Sequence, residues 1–400
     1  MASRRLSTYR AKRDFTHTSE PSGGAPARMP QAAFKGPSEN KPAREVQAEK
    51  AAPVGKSAAP RGRRDLDRGS RESHRAGGPI LGVTISNPDK VLWPDAGDGR
   101  PVTKREFAEY LAAVSEWMLP HIEGRPCSLV RCPDGIGGQR FFQRHAMPGL
   151  SSLISLTRVS GDRKPYVQLD RVDGLAALAQ IAALELHPWN CVPQQPEVPG
   201  RLVFDLDPAP DVALEATIDA ARELRERLGE LGLESFLTTT GGKGLHVVTP
   251  FAQPRNNTLD WPVVKSFARE LCARMAADSP RKYVINMAKR VRTGRIFLDY
   301  LRNDRTATAV APLSPRARPG ATVSMPLTWG QARTGLDPRK FTLRTARALL
   351  ERSGAWKDYA ESSRPLLPAI ERVADNARRG GAQNRMPAAR RQASTERRLE

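Results

Sequence analysis

Two carboxylates stand one residue apart inside an apolar run, in the stretch RLVFDLDPAP at residues 201–210. In an extended strand, residues two apart point to the same face, so Asp205 and Asp207 would lie side by side while Phe204 and Leu206 pack on the other face. Two anions this close repel each other, and a hard divalent cation such as Mg²⁺ or Mn²⁺ relieves the repulsion. The structural alternative is a strand-end aspartate that caps the following helix.

A third acid, Asp299, lies in a second apolar strand pattern, RTGRIFLDYLRND at residues 292–304. The basic residues around it are Arg292, Arg295, Arg302 and Arg305. A lone aspartate beside arginines can be a simple salt bridge. Three strand-borne acids among basic groups fit a two-ion site better, in which paired cations activate an attacking hydroxyl and stabilise a leaving pyrophosphate.

A glycine-rich stretch, TTTGGKGLHVVTP at residues 238–250, separates the acids. Its glycines, Gly241, Gly242 and Gly244, allow the backbone to approach a phosphate closely, and Lys243 supplies positive charge. The polar side chains beside them are those of Thr240 and His246. The stretch leads into a strand and lacks the spacing of a Walker A loop, which excludes a P-loop ATPase. A plain hairpin turn is the structural alternative.

The composition favours a nucleic-acid partner. The 400 residues carry a formal net charge of +21, and this excess attracts polyanions, of which nucleic acid is the first candidate and an anionic membrane the second. No apolar run of about 18 residues exists, so we expect no membrane span. The N-terminus lacks the apolar segment of a secretory signal. The four cysteines form no C-x-x-C pair, which argues against a zinc knuckle and is compatible with a reducing cytosol.

Changes in composition along the chain predict a folded core between two basic extensions. We expect residues 1–78 and 376–400 to be disordered basic tails, and residues 79–375 to form an α/β or α+β domain. The periodic patterns predict helices at 103–122, 172–189, 211–231 and 259–277. They predict strands at 126–133, 138–145, 201–208, 233–242, 245–251 and 294–301.

The motifs FDLDP, TTTGGKGLHV and IFLDYLRND, in this order, resemble the three motifs of the archaeo-eukaryotic primase superfamily. More narrowly, the chain resembles the polymerase domain of bacterial DNA ligase D. The segments that carry this closer likeness are SNPDKVLWP, PVTKREFAEY, RFFQRHAMPG, LELHPWN and LRNDRTATAVAPLSPRARPG. The resemblance covers about residues 80 to 370 and implies an α+β fold, a primase-like catalytic core with mixed β-sheets flanked by helices.

The resemblance also implies roles for individual residues. The catalytic ions, Mn²⁺ in preference to Mg²⁺, would be held by Asp205, Asp207 and Asp299. The nucleotide triphosphate would be bound by His187, Thr240, Gly242, Lys243, Gly244, His246, Arg302, Arg316 and Arg318. The family usually has serine at the position of Thr240, so the hydroxyl is kept. The 5′-phosphate of a gapped or broken DNA end would be held by Lys90 and Lys104. Of Phe141 and Phe142, adjacent on a strand, one would lie in the core and Phe142 would stack on a template base.

The implied function is end-joining repair in the bacterial cytoplasm, at the nucleoid. The polymerase would add nucleotides, preferably ribonucleotides, to 3′-hydroxyl ends at gaps or double-strand breaks. Arg171-Val172-Asp173-Gly174 is similar to the K-x-D-G of ATP-dependent ligases, but an arginine cannot be the adenylated nucleophile. We therefore expect a stand-alone polymerase with no ligase domain, working with the Ku end-binding protein and a separate ATP-dependent DNA ligase.

Three other functions are compatible with parts of these patterns. A primase that starts chains de novo would use the same site. A metal-dependent nuclease also places acids on strands. A non-catalytic, arginine-rich protein that bridges DNA ends would need the charge but not the acids, and the intact acid triplet argues against it.

Overall fold

The computed structural model of the chain describes residues 78–256 and 258–384. The predicted N-terminal tail, apart from Gly78, and residues 385–400 of the predicted C-terminal tail lie outside the described residues. All described residues fall within one structural unit.

Seven α-helices occur in the described part of the chain. They are α1 (Lys104–Ala113), α2 (Ser115–Ile122), α3 (Val172–Gln180), α4 (Leu214–Glu230), α5 (Trp261–Asp278), α6 (Ala346–Ser353) and α7 (Leu367–Asn384). The last helix runs past residue 375, where the sequence pattern placed the end of the folded domain. No helix in the two described ranges is both long and apolar enough to cross a membrane.

The strands in the same ranges are short, and the longest of them have eight residues. The strands are β1 (Val91–Trp93), β2 (Val102–Thr103), β3 (Cys127–Arg131), β4 (Phe141–Gln143), β5 (Ser155–Thr157), β6 (Tyr166–Gln168), β7 (Ala183–Pro188), β8 (Cys191–Val192), β9 (Gln195–Pro199), β10 (Arg201–Pro208), β11 (Phe236–Thr239), β12 (Leu245–Ala252), β13 (Tyr283–Val284), β14 (Ile296–Asp299), β15 (Pro326–Leu327) and β16 (Arg364–Pro365). The mixture of sheets and helices confirms the predicted α+β class.

The larger sheet has the strand order β13-β14-β10-β12-β11-β15, with β16 added beside β12. β10 lies inside this sheet, antiparallel to β14 on one side and to β12 on the other. Its residues Leu202, Phe204 and Leu206 are fully buried, in the same apolar cluster as Ile218 and Leu224 of α4. The opposite face of β10 is therefore the one that carries its acidic side chains.

The smaller sheet has the order β4-β3-β6-β5, and β7 also pairs with β3. The strand β7 corrects the sequence prediction, which extended one helix from residue 172 to 189. The helix ends at Gln180, Ala182 adopts a left-handed φ of 50°, and the chain then turns into β7. Leu184 and Leu186 are buried on one face of β7 while Glu185 and His187 occupy the other, which is the period of a strand. Pairing with β3 overrides the helical propensity of the alanines and leucines.

The chain beyond β14 joins the two sheets. The amide of Ala311 donates to Leu186 O of β7, and the amide of Leu313 donates to Ser324 O. Farther along, Thr239 of β11 donates its amide to Met325 O. Residues 308–325 are thereby hydrogen-bonded to both sheets, which brings the polar face of β7 close to that of β10.

The first predicted helix is present but interrupted. Thr103 caps α1, and its hydroxyl accepts from the amide of Glu106, as the sequence predicted. The helix breaks at Val114, and α2 follows with Pro120 inside it. The predicted span of 103–122 is therefore two helices, with α1 packed against α3.

Candidate active site

A cross-strand row of side chains carries the acids. In β10, Asp205 stands directly opposite Asp299 of β14 on one side and opposite His246 of β12 on the other. Residues directly opposite in antiparallel strands share a face and lie close together. The structure therefore brings Asp299 beside Asp205, as the sequence predicted, and adds His246 at 3.5 Å between Nε2 and Asp205 Oδ1.

The two acids of β10 differ in burial and therefore in electrostatics. The side chain of Asp205 is 14% exposed and that of Asp207 is 55% exposed. Burial by itself raises the pKa of Asp205, but His246 and Arg302 outweigh burial and lower this pKa to about 2. Burial raises the pKa of Asp207 and the charge of Asp205 raises it further, while Arg292 offsets only part.

Asp299 is the most buried of the three acids, with a side chain that is 9% exposed. Its burial raises the pKa of the carboxyl group, and Arg302 offsets part of this effect. Arg302 Nη2 lies 3.2 Å from Asp299 Oδ2 and 3.1 Å from Asp205 Oδ2, so one guanidinium group bridges the two carboxylates. Arg292 Nη1 donates to Asp207 Oδ2 at 2.8 Å.

These guanidinium contacts bear on metal binding. Among the residues that the structure describes, no three acidic, histidine or cysteine side chains form an ion site as they stand. The donor set itself fits a hard divalent cation, because Asp205, Asp207 and Asp299 offer carboxylate oxygens and a cluster of negative charge that needs positive compensation. An ion bound here would take over the compensation that Arg302 and Arg292 now provide.

The glycine-rich stretch forms a tight loop at the end of β11. The amide of Thr240 donates to Gly244 O at 3.0 Å and closes the loop. Gly241 has a φ of 69°, and a Cβ on Gly244 would come within 3.1 Å of Leu206 O and Thr240 Oγ1. The loop thus requires glycine at these positions. Lys243 Nζ donates to Pro210 O at 2.8 Å, which holds the lysine over the end of β10.

Two arginines from the 308–325 segment lie against this loop. Arg316 Nη1 donates to Thr240 O, and Arg318 Nη1 donates to Gly241 O at 3.2 Å. The guanidinium group of Arg318 occupies the space that a Cβ on Gly242 would need. Burial lowers the pKa of Arg318, and the positive charge of Arg316 adds to this effect. Two neighbouring cations of this kind make a strongly anion-attracting wall.

A cavity of about 510 Å³ lies between these elements. Its lining comprises His187, Asp205, Asp207, Pro208, Pro210, Thr240, Gly242, Lys243, Gly244, His246, Arg302, Thr308, Ala309, Val310, Arg316 and Arg318. Every residue that the sequence assigned to metal or nucleotide binding is among them except Asp299, which lies beside the cavity in contact with Arg302.

Sequence reasoning assigned no role to six residues of this region: Glu185, Pro208, Pro210, Thr308, Ala309 and Val310. Glu185 contacts both His187 and Arg316. A period-2 reading of ALELHP would have placed Glu185 on the face of His187, but the helix prediction hid that pattern. Residues 308–310 lie in the segment LRNDRTATAVAPLSPRARPG, which carries the family likeness, but their residue types indicate no role in the cavity. They reach the cavity because their segment is hydrogen-bonded to β7.

The two phenylalanines of β4 correct one prediction. Phe141 is 39% exposed and Phe142 is 62% exposed, so neither lies in the core. β4 is an edge strand of the smaller sheet, and both of its faces are partly open to solvent. The ring of Phe142 lies 6.1 Å from that of His187, edge to face, which places Phe142 beside the cavity.

The two lysines predicted to hold a 5′-phosphate do not line this cavity but lie next to each other. Lys104 donates its amide to Lys90 O, and the ammonium group of Lys104 is bound by Ser86 O at 2.9 Å. Lys104 is 6% exposed, and its pKa is lowered by burial and then by the charge of Lys90. Lys90 pairs with Asp134 at 2.9 Å. Such a pair of lysines is suited to an anion.

The sequence of this chain is similar to those of known proteins. Residues 103–356 match the family described as LigD, primase-polymerase domain. The multifunctional non-homologous end joining protein LigD of Pseudomonas aeruginosa is 35% identical over 349 residues, which are 86% of this chain and 39% of that protein. The multifunctional non-homologous end joining DNA repair protein LigD of Mycobacterium tuberculosis is 36% identical over 263 residues, which are 62% of this chain and 33% of that protein.

A solved structure extends the likeness to the fold. The polymerase domain from Mycobacterium tuberculosis ligase D in complex with DNA superposes with a TM-score of 0.63 at 32% identity, and the match covers 69% of this chain and 97% of that one. The chain spans about two fifths of the length of the Pseudomonas relative. The match to more than half of the chain shows that the protein belongs to the LigD primase-polymerase domain family.

Proposed function

We propose that this chain is a template-dependent nucleotidyltransferase that adds nucleotides to 3′-hydroxyl ends at gaps or double-strand breaks. The observation that carries the proposal is the cavity in which strand-borne acids, a glycine loop and basic side chains meet. Acids attract cations, and a loop of glycines with arginines attracts a polyphosphate. A nucleoside triphosphate that is bound together with divalent cations would use both the acids and the basic glycine loop.

The acids and the basic groups have separate tasks in this proposal. Asp205, Asp207 and Asp299 would hold two Mn²⁺ or Mg²⁺ ions. When bound, such ions activate the attacking hydroxyl and stabilise the leaving pyrophosphate. The triphosphate would be bound by Thr240, Gly242, Lys243, Gly244, His246, Arg302, Arg316 and Arg318, with His187 reaching the nucleotide from β7. These residues position the phosphates and compensate their charge, and no covalent enzyme intermediate is needed.

The DNA would contact the residues beside the cavity. Phe142 is exposed next to His187, where an aromatic ring can stack on a template base. Lys90 and Lys104 would grip the 5′-phosphate on the far side of a gap. The charge of +21 adds a sequence-independent attraction to the DNA backbone. The DNA complex of the related Mycobacterium tuberculosis domain supports the proposal that this chain binds DNA.

The biological setting follows from the relatives, whose names describe non-homologous end joining. We infer that this chain serves the same repair process in the cytoplasm, at the nucleoid, with a catalytic domain at about residues 79–375. Ribonucleotides would be the preferred substrates. Ku would hold the ends, and an ATP-dependent DNA ligase would seal the extended strand.

Primer extension on a gapped duplex tests the proposal. The duplex carries a 5′-phosphate at the gap, and Mn²⁺ is supplied with either ribonucleotides or deoxyribonucleotides. We expect the wild type to extend the primer with release of pyrophosphate and Asp205→Asn to be inactive. Asp278→Asn is the matched control, because Asp278 is an exposed carboxylate at the end of α5 that pairs with Arg227.

Each competing function predicts a different product. Synthesis on a template without a primer would indicate a primase that starts chains de novo. Release of nucleotides from the DNA in place of pyrophosphate would indicate a nuclease. If the wild type binds the gapped DNA but neither extends nor cleaves it under any metal, the protein is a non-catalytic bridge between ends and the proposal is wrong.

A further inference from the structure

A buried carboxylate contacts two residues that line the cavity, His187 and Arg316. Glu185 of β7 has a side chain that is only 9% exposed. Its Oε2 lies 2.8 Å from His187 Nε2 and 3.0 Å from Arg316 Nε, and its Oε1 accepts from the amide of Ala317 at 2.7 Å. The two oxygens of Glu185 therefore contact β7 and the 308–325 segment at the same time.

An anion at this position needs an explanation. Burying a carboxylate costs free energy, and its charge repels the phosphates that the neighbouring arginines attract. Burial raises the pKa of Glu185, but the hydrogen bond from His187 and the charge of Arg316 outweigh burial and lower the pKa to about 2. The carboxylate is therefore ionised at neutral pH, although an uncharged side chain there would make a better phosphate site.

We propose that Glu185 is a positioning residue, which orients His187 and Arg316 for binding of the nucleotide. The inference rests on the proposed function of the cavity. Glu185 itself does not line the cavity, and it acts through two residues that do.

The first effect is on the tautomer of His187. Burial lowers the pKa of His187, and the nearby Arg316 and Arg302 lower it too, although Glu185 opposes this shift. A neutral imidazole has one N–H and one lone pair. With Nε2 facing the carboxylate of Glu185, the proton resides on Nε2 and Nδ1 keeps the lone pair. His187 then accepts a hydrogen bond from a hydroxyl or amino group of the nucleotide and cannot donate one to a phosphate through Nδ1.

The second effect is on Arg316. Its Nη1 donates to Thr240 O in the glycine loop, while its Nε forms an ion pair with Glu185 Oε2. The guanidinium group is therefore contacted from both sides. Without the carboxylate, Arg316 and Arg318 would repel each other with no anion to compensate them, and Arg316 would leave the loop when no nucleotide is bound.

The tautomer is measured directly by ¹⁵N nuclear magnetic resonance of histidine-labelled protein without nucleotide, with His187→Gln to assign the signal. We expect a protonated Nε2 and an unprotonated Nδ1 in the wild type at pH 7.5. A wild-type His187 with its proton on Nδ1 overturns the proposal without any variant at Glu185 and without any activity. In Glu185→Gln, which offers one acceptor oxygen where glutamate offers two, we expect the other tautomer to appear.

Steady-state extension gives the second readout. Because a hydrogen bond to a charged group is lost, we expect Glu185→Gln to raise the KM for the nucleotide about tenfold or more while kcat changes far less. Glu197→Gln is the matched control, since Glu197 of β9 pairs with Arg305 and does not line the cavity. In an Arg316→Ala background, the effect of Glu185→Gln on KM should shrink, because part of it acts through Arg316.

The two proposals fail in different ways. If the wild type adds no nucleotide to any primer, the proposed function is wrong, whereas the tautomer measurement still tests Glu185. If the wild type extends primers and Glu185→Gln keeps both its KM and its histidine tautomer, the positioning role is wrong and the function stands.

Discussion

The two acids of β10 should respond in opposite ways to the same substitution. The pKa of Asp205 is lowered from 3.8 to about 2, a difference that corresponds to about 2 kcal/mol. A carboxylate with a depressed pKa stabilises the fold above its unfolded pKa, and this contribution disappears as the pH falls from about 4 to about 2. At pH 7.5 the part that comes from Arg302 is present, because a guanidinium group stays charged at this pH. Asp205→Asn should therefore lower the free energy of unfolding, by up to about 2 kcal/mol.

The contribution of Asp207 to the free energy of unfolding has the opposite sign, because the pKa of Asp207 is raised by burial and by the charge of Asp205. Its ionised form weakens the fold at neutral pH, so Asp207→Asn should increase the free energy of unfolding. Both variants should be inactive in primer extension, since each loses a carboxylate of the metal site. Activity and stability would thus separate: one inactive variant is less stable than the wild type and the other is more stable.

Urea unfolding followed by tryptophan fluorescence at pH 7.5 measures these differences, with a chelator present so that bound ions do not contribute. Asp278→Asn, at an exposed ion pair, should change the unfolding free energy by about 0.5 kcal/mol or less. Repeating the experiment with Mn²⁺ should stabilise the wild type and the control but neither site variant. If the two variants shift the unfolding free energy in the same direction, the electrostatic account of the site is refuted.

Three further predictions concern other parts of the molecule. His121 is buried, and burial together with the charges of Arg201 and Arg125 lowers its pKa to about 3. The neutral ring therefore stabilises the fold above about pH 6.5. This contribution is lost as the pH falls from about 6.5 toward 3. Between pH 7 and pH 5 the free energy of unfolding, measured with urea, should fall by about 2 kcal/mol more in the wild type than in His121→Gln. Equal decreases in the two proteins would contradict the lowered pKa of His121. Lys104→Gln should weaken binding of gapped DNA with a 5′-phosphate about tenfold while leaving binding of the 5′-hydroxyl form unchanged, measured by fluorescence anisotropy, and an equal loss for both forms would argue against a phosphate site. Phe142→Ala should weaken template binding by about 1–3 kcal/mol without changing the melting temperature, because the ring is exposed; a clear drop in melting temperature would mean that the ring serves packing.

Strand β10, which carries Asp205 and Asp207, is an element whose side-chain directions could be predicted from its local sequence pattern. The alternation of RLVFDLDP predicted that Phe204 and Leu206 would be buried and that Asp205 and Asp207 would share the other face, and both predictions are confirmed. This worked because a strand has a side-chain period of two whatever its neighbours are. The pairing of Asp205 with Asp299 was expected only because the residue types fit a common site, and the register of β10 with β14 places them opposite each other.

In β7 the local sequence pattern gave a wrong prediction, a helix in place of a strand. Its alanines and leucines follow those of α3, and a helix was the natural expectation from residue 172 onward. The turn at Ala182 and the pairing with β3 make this segment a strand. The strand conformation in turn sets the positions of Glu185 and His187. Propensity is a weak preference that hydrogen bonding to a neighbouring strand readily overrides. The exposure of both phenylalanines of β4 is also decided by tertiary packing, which leaves both faces of this strand partly open.

The sequence by itself determined the identity of the chemistry-bearing groups: three acids on apolar strands, a glycine loop with a lysine, and the basic residues beyond them. It also determined the family likeness, because that likeness rests on short contiguous motifs. Only the tertiary structure decided which cation faces which acid, that Glu185 stands behind His187 and Arg316, and that residues 308–310 reach the cavity. Several of these contacts join positions far apart in the chain, such as Glu185 and Arg316, and long-range pairing depends on sheet register and packing that no local pattern contains.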